Sequence, residues 1–346
     1  MVIDMKNKFE LTNINKARNT LFGIATILVI LFHSYYLNFN DIFGNNIFSS
    51  ILSFIKNIGN FGVDIFLFLS GIGLYFSYSQ NSIKNFYFNR VKRVLPILTP
   101  VTIIFYLFIK KVSIKTLLCK IFLISFYLNG DRSLWFFSII FLLYFLYPLF
   151  YKIITKYDFL GTISLIFIVL LFNLSINIFF PTFYSNIEIG TTRFYVFIIG
   201  IFFGKKIYNK EQLPYKYISL FFICNILLVI IIFKIININN IIRVLRYLYC
   251  PLSISFIICF SYLYSRINIK FNILNLIGKY SLVYYILYEK INYLLLKNFK
   301  PNNYLLYYFL ISLIILLFSI SISIIKKQLI IIYRIRNTKE NNAIIH

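Results

Sequence analysis

Long apolar runs separated by short polar breaks dominate this 346-residue chain. A helix needs about 20 apolar residues to cross a hydrocarbon core of roughly 30 Å, and backbone groups in lipid must hydrogen bond within their own segment. We therefore interpret each run as a transmembrane helix, since the alternating pattern of a membrane β-barrel is absent. The runs predict ten spans, at residues 20–37, 60–78, 94–109, 133–151, 159–179, 194–204, 217–236, 247–265, 280–296 and 304–325.

The placement of basic residues predicts the orientation of these spans. Alternate breaks hold about twice as many lysines and arginines as the others, which by the positive-inside rule puts residues 1–18 and 326–346 in the cytoplasm. The first polar segment lacks the layout of a cleaved signal peptide, so the first span should stay in place. Without an internal repeat or a long linker, residues 1–346 are predicted to form one all-α membrane domain.

One stretch does not fit a regular span. Residues 110–132 contain an apolar core that is too short to cross a bilayer, and five basic residues accompany it. We expect an interfacial or re-entrant helix here.

The composition restricts the class of partner. A net charge of +25 in a chain that is 60% hydrophobic indicates contact with anionic membrane lipids rather than with nucleic acid. The cysteines have no metal-binding or disulfide spacing and are predicted to be small core residues. They are Cys119, Cys224, Cys250 and Cys259.

Ionisable residues inside spans are the first candidates for chemistry, because an unpaired charge in lipid is unfavourable. They are His33, Asp64, Lys234, Glu289 and Lys290, with Arg18, Arg90, Arg93 and Arg193 at predicted interfaces. His33 is either an interfacial residue beside two tyrosines or a general base. Asp64 is either a helix-start acid or the partner that orients His33, because the topology puts both in the external half of the membrane.

Four blocks in order along the chain resemble a known family. They are "LFGIATILVILFHS" at 21–34, "FGVDIFLFLSGIGLYFS" at 61–77, "FYFNRVKRVLP" at 86–96 and "SLWFFSIIFLLYFLYPLF" at 133–150. They are similar to the successive motifs of the acyltransferase 3 family, the integral-membrane O-acyltransferases of bacterial surface glycans. Two later segments, "RFYVFIIGIFFGKKI" and "IGKYSLVYYILYEKI", resemble its distal helices more loosely.

The resemblance implies transfer of an acyl group from cytoplasmic acyl-CoA to a sugar hydroxyl. It places His33 on the family's histidine, as catalytic base or acyl carrier. The arginine that the family has eleven residues earlier is Phe22 in this chain. Arg18 lies one helical turn before Phe22, so we expect its side chain to reach toward the vacant position.

Other candidates follow from the same comparison. Arg90, Lys92 and Arg93 match the family's basic cluster and are either positive-inside anchors or ligands for the phosphates of coenzyme A. Trp135 matches an L-W motif but could equally be an interface anchor. In the distal motif Tyr285 keeps the family's tyrosine, and Tyr288 replaces its histidine.

The sequence therefore predicts an O-acyltransferase of the bacterial cytoplasmic membrane. It would move an acyl group, most simply acetyl, from acetyl-CoA to a cell-surface or lipid-linked glycan, with no metal. Two alternatives stay open: a transporter or flippase of lipid-linked sugars, and an acyltransferase relative that has lost activity. The sequence does not indicate an oligomeric state.

Overall fold

The computed structural model describes residues 8–236, 242–267 and 271–343. Almost all of this chain is helical, which confirms the predicted all-α bundle. The helices are α1 (Asn13–Phe32), α2 (Phe39–Phe43), α3 (Ile47–Ile58), α4 (Gly62–Ser79), α5 (Ile83–Ile103), α6 (Ile114–Ile121), α7 (Ser125–Asn129), α8 (Trp135–Phe179), α9 (Pro181–Thr191), α10 (Phe194–Tyr208), α11 (Tyr215–Ile235), α12 (Ile242–Arg266), α13 (Asn272–Asn298) and α14 (Tyr304–Ala343). A 3₁₀ turn (Gly59–Phe61) joins α3 to α4, and a π-helical turn (Ile104–Ile109) ends α5.

Eight stretches of the described chain are long and apolar enough to cross a membrane. The longest of them, α8, is a hairpin of two helices. Its backbone leaves the helical region at Asp158 (φ 49°, ψ −121°), and Gly161 lies against the carbonyl oxygen of Ile153, which a straight helix would hold about 12 Å away. If the two arms of α8 are counted separately and the 27-residue α13, which is not one of the eight, is added, a helix lies at each of the ten predicted positions.

The predicted basic break before the third span is helical. Helix α5 begins at Ile83, where the Ser82 side chain accepts a hydrogen bond from the backbone N–H of Asn85. Arginine and lysine are good helix formers, so the helix continues through the basic cluster. Arg90, Lys92 and Arg93 therefore lie on a helix and not in a loop.

The stretch 110–132 forms two short helices, α6 and α7, and neither is long enough to span a membrane. Lys120 donates a hydrogen bond to Asp131, and the Asp131 carboxylate also accepts from the backbone N–H of Ser133. Burial raises the pKa of Asp131, but hydrogen bonds from Lys120 and Ser133 outweigh it and lower the pKa below its ordinary value. Asp131 thus carries a charge that ties the start of α8 to α6.

Helix α1 lies at the centre of the bundle, with α4, α12 and α13 against it. Glycines permit close backbone contact on two of its sides. Gly23 faces the carbonyl of Leu274 on α13, and Gly278 of α13 faces the carbonyl of Asn19. On the other side a Cβ at Gly62 would lie 2.7 Å from the carbonyl oxygen of Ala25. Such close packing by small residues is a main source of helix association in lipid.

A small sheet shows which segments share one end of the bundle. Strand β1 (Lys8–Glu10) pairs antiparallel with β2 (Gln212–Pro214), which lies between α10 and α11. The N-terminal segment and the basic break 205–216 are therefore at the same end, as the charge pattern predicts.

Cysteine labelling tests the hairpin in α8. In a variant whose four native cysteines are replaced by alanine, Lys156→Cys and Asn209→Cys should react with an impermeant maleimide only after the membrane is opened. Asn302→Cys, in the connection between α13 and α14, should react in intact cells. Labelling of Lys156→Cys from the same side as Asn302→Cys would contradict the ten-span arrangement.

Candidate active site

Two cavities lie along α1, and each takes its name here from its ionisable residues. The smaller, the histidine cavity, has a volume of about 130 Å³. Its lining comes from α1, α4, α13 and the segment after α1. The lining residues are Thr26, Val29, Ile30, His33, Tyr35, Phe66, Tyr284, Tyr285, Tyr288, Glu289 and Asn292.

His33 ends α1 and has a defined tautomer. Its Nδ1 lies 2.8 Å from the carbonyl oxygen of Val29. Because a carbonyl only accepts hydrogen bonds, Nδ1 carries the proton in this contact, and the lone pair of Nε2 is free in the neutral ring. His33 can therefore accept a proton from a group in the cavity.

Glu289 is a cavity residue to which the sequence gave no role. It lies on α13, lines the histidine cavity with His33, and makes no hydrogen bond or ion pair with any residue that the structure describes. One sequence feature could have indicated a role for Glu289: it is a carboxylate within a predicted span, directly after Tyr288.

The larger cavity, the arginine cavity, has a volume of about 310 Å³. Four cationic side chains line it, and no acidic residue does. The cations are Arg18, Arg90, Arg93 and Lys279. Arg90 is held by its hydrogen bond to the Ser77 hydroxyl (2.9 Å). Lys279 was not among the predicted site residues, because in the sequence it is one of many basic residues in a break.

Arg18 reaches the position of Phe22, as expected from the sequence. Its guanidinium lies 5.4 Å from the centre of the Phe22 ring and donates to the carbonyl of Leu69 (3.3 Å). The absence of a side chain at Gly73 leaves room for it. Arg18 and His33 are 15 residues apart on one helix, about 22 Å, so they do not touch. The structure assigns Arg18 to the arginine cavity and not to the surroundings of His33.

Three predicted site residues lie outside both cavities: Lys92, Trp135 and Asp64. The Lys92 amine lies 5.6 Å from the centre of the exposed Phe88 ring. Trp135 is buried at the start of α8, where the Arg193 guanidinium covers its ring at 5.3 Å. Trp135 thus contributes to packing around a buried charge.

Asp64 does not contact His33. Its Oδ2 accepts a hydrogen bond from Nε of Arg193 at 3.2 Å, and both side chains are fully buried. The preceding turn of α4 explains the separation: Gly62 packs at Ala25 and Val29, so Asp64 lies deeper in the bundle than His33. The prediction that Asp64 orients His33 is therefore wrong. The carbonyl of Val29 orients the His33 ring instead.

A second buried ion pair lies between α9 and α12. Arg246 Nη1 is 2.9 Å from Glu188 Oε1, and Arg132 approaches the same oxygen at 3.7 Å. The sequence gave no reason to connect these residues, because they come from three separate breaks of the chain. All three breaks were predicted to be external, and the contact confirms that they share one end.

Two aromatic residues, Phe66 and Tyr285, line both cavities. Phe66 stacks on Phe22 with ring centres 5.5 Å apart, and Tyr285 packs edge-on against Phe137 at 5.7 Å. Tyr288 lines only the histidine cavity. The two cavities therefore meet at this pair of rings.

The arrangement offers a site for phosphates at one end and a base at the other. Guanidinium groups bind phosphate oxygens in bidentate fashion, and an imidazole with a free Nε2 takes protons from hydroxyls. Among residues 8–236, 242–267 and 271–343, no group of three or more His, Cys, Asp or Glu side chains could hold a metal ion.

The buried pair Asp64–Arg193 predicts a distinct stability pattern. Arg193→Met leaves a buried carboxylate unpaired and should lower the free energy of unfolding by about 3–5 kcal/mol. The double variant Asp64→Leu/Arg193→Met should recover much of this loss in thermal unfolding of the purified protein. As a control, Glu211→Gln breaks the exposed pair with Lys206 and should cost less than about 1 kcal/mol. Strictly additive losses in the double variant would refute the coupling.

Comparison with known proteins agrees with this geometry. A search of curated proteins and a search of solved structures gave no match. The sequence model of one family, described as an acyltransferase domain (Acyl_transf_3), matches residues 21–324. This range includes the whole lining of the histidine cavity, the lining of the arginine cavity except Arg18 and Asn19, and nearly the whole bundle. The chain therefore belongs to the acyltransferase 3 family and is a membrane acyltransferase.

Proposed function

We propose that this acyltransferase moves an acetyl group from acetyl-CoA to a hydroxyl of a cell-surface or lipid-linked glycan. The observation that carries the proposal is the pair of adjoining cavities, with four cations in one and a histidine with a free Nε2 in the other. A donor with several phosphates and a long flexible arm matches the first, and a hydroxyl acceptor matches the second.

The arginine cavity is the donor site in this proposal. The cationic lining favours the phosphates of coenzyme A, and no lining acid opposes them. Since lysine and arginine concentrate on the cytoplasmic side of membrane proteins, this end would face the cytoplasm, where acyl-CoA is present. Both chain ends would then be cytoplasmic in a bacterial inner-membrane protein.

The thioester arm would pass between Phe66 and Tyr285 into the histidine cavity. There Nε2 of His33 takes the proton of the acceptor hydroxyl while the hydroxyl oxygen attacks the thioester carbonyl carbon. The tetrahedral intermediate expels the thiolate, which takes the proton back from the imidazolium to give free coenzyme A. The products are an acetyl ester and a thiol, and His33 returns to its neutral form.

The small volume of the histidine cavity supports a short acyl group. About 130 Å³ must hold both the reacting thioester and part of the acceptor. Aromatic rings surround this space, so a long acyl chain would require them to separate widely. Acetyl is the simplest group that meets this limit.

The proposal is tested with the full-length protein in detergent and labelled acetyl-CoA. Wild type should release or transfer the acetyl group, and His33→Ala should reduce the rate at least about 100-fold, the usual contribution of a general base. A wild-type protein that neither hydrolyses acetyl-CoA nor acetylates any glycan offered would refute the function and favour a relative that has lost activity. Activity retained in His33→Ala would refute the role of the base.

The donor site makes a separate prediction for α5. Arg93→Ala removes a charged contact worth about 1.5–3 kcal/mol and should raise KM for acetyl-CoA roughly tenfold or more. Lys92→Ala removes the same charge from the adjacent position outside the cavity and is the matched control. An equal rise in KM for both variants would show that the effect is general surface charge.

The position of Arg18 can be tested without removing it. A side chain at Gly73 would collide with the Arg18 guanidinium, so Gly73→Val should displace it into the cavity. We expect Gly73→Val and Arg18→Ala to raise KM for acetyl-CoA by similar factors. Full transfer activity in Arg18→Ala would exclude Arg18 from the site.

A further inference from the structure

We propose that Glu289 and Asn292 form a binding site for an uncharged sugar ring, with Glu289 accepting hydrogen bonds from two neighbouring hydroxyls. The proposal rests on the proposed function, because it identifies the acceptor class of the same cavity. It predicts that the site selects neutral sugars and rejects sugars that carry a carboxylate.

Both residues lie on the face of α13 that lines the histidine cavity. Tyr285, Glu289 and Asn292 follow one another at intervals of four and three residues, the spacing of one helix face. All three line the cavity with His33. A sugar held by Glu289 and Asn292 would therefore occupy the same space as the free Nε2.

Glu289 offers its carboxylate to the cavity. It makes no hydrogen bond or ion pair with a described residue, and its side chain is exposed. Three lysines act on it electrostatically but are held elsewhere: Lys290 lies over the Phe105 ring, Lys110 over Tyr293, and Lys120 binds Asp131. The carboxylate can therefore accept hydrogen bonds from the hydroxyl groups of a ligand.

Asn292 is oriented as a donor. The Tyr307 hydroxyl donates to Oδ1 of Asn292 at 3.0 Å, which fixes the amide and leaves its NH₂ group available. A carboxylate that accepts and an amide that donates match adjacent sugar hydroxyls, each of which can do both. Tyr35, 72% exposed at the mouth of the cavity, adds an aromatic face.

The charge of the cavity decides between classes of sugar. With His33 neutral, Glu289 is the one charged side chain among the residues that line it. A uronic acid would bring a second negative charge next to this carboxylate, and the repulsion between the two favours its exclusion. An uncharged ring meets no such penalty.

Chemical modification of His33 tests this binding without any acyl transfer. Diethylpyrocarbonate reacts with the unprotonated nitrogen of imidazole, and the chain has two histidines, His33 and His346, which mass spectrometry of peptides separates. The probes are methyl glucoside and glucuronate, added to the purified full-length protein. The variants are Glu289→Gln and, as a matched control at the same end but outside both cavities, Asp41→Asn.

We expect methyl glucoside, and not glucuronate, to slow the modification of His33 in wild type. In Glu289→Gln the concentration of methyl glucoside that gives half protection should rise about tenfold, while Asp41→Asn behaves as wild type. Protection by glucuronate at least equal to that by methyl glucoside, or no protection by either, would overturn the proposal.

A further outcome separates this site from a direct effect on His33. If Glu289→Gln changed the modification rate without sugar and left protection by methyl glucoside unchanged, Glu289 would be a partner of His33 and the sugar site would be refuted. Because protection is measured without acetyl-CoA, loss of the proposed transferase activity and loss of sugar binding give different results.

Discussion

Close backbone contact between α1 and α13 is the constraint on which the site depends. Gly23 and Gly278 let the backbones of the two helices approach closely where residues 19–23 of α1 meet residues 274–278 of α13. In lipid no hydrophobic force drives helices together, so contact of this kind has to supply the association. The contact places the cavity-lining face of α13 beside α1, and the rise of α1 itself keeps Arg18 and His33 about 22 Å apart. This distance suits a donor whose phosphates and reacting group lie at opposite ends of a long arm.

Charged side chains divide into two groups in this bundle. Asp64 and Arg193 neutralise each other in the core, where both are fully buried, and they hold Trp135 and the junction of α9 and α10 in place. Arg93 and Glu289 instead line the two cavities. The first group neutralises charge within the core and the second contributes charge to a cavity wall, a distinction that depends on tertiary contacts.

Much of the fold could be predicted from the sequence, because the length of an apolar run is set by the membrane itself. The ten spans and the short helices in 110–132 followed from this limit, and the hairpin at Asp158 lies where the sequence has a polar break. The third span was predicted to begin at residue 94, but α5 begins at Ile83. The basic residues before the span were interpreted as a break between helices, although arginine and lysine form helices well.

The site could be predicted only in part. His33 was found because histidine within a span is rare, and Arg18 because it lies one turn from Phe22. The pairing of Asp64 with Arg193 joins positions 129 residues apart, and no local pattern indicates such a contact. Glu289 enters the cavity because α13 crosses beside α1, a packing that sequence spacing on one helix cannot reveal.

The most direct test of the account is the sidedness of acyl transfer in sealed vesicles. Vesicles containing the purified protein would enclose dextran, a neutral glucan, with labelled acetyl-CoA added outside. If the thioester passes from the arginine cavity to the histidine cavity, the enclosed dextran becomes acetylated with wild type and stays unlabelled with His33→Ala. Acetylation confined to dextran on the same side as acetyl-CoA would contradict the transfer between the two cavities.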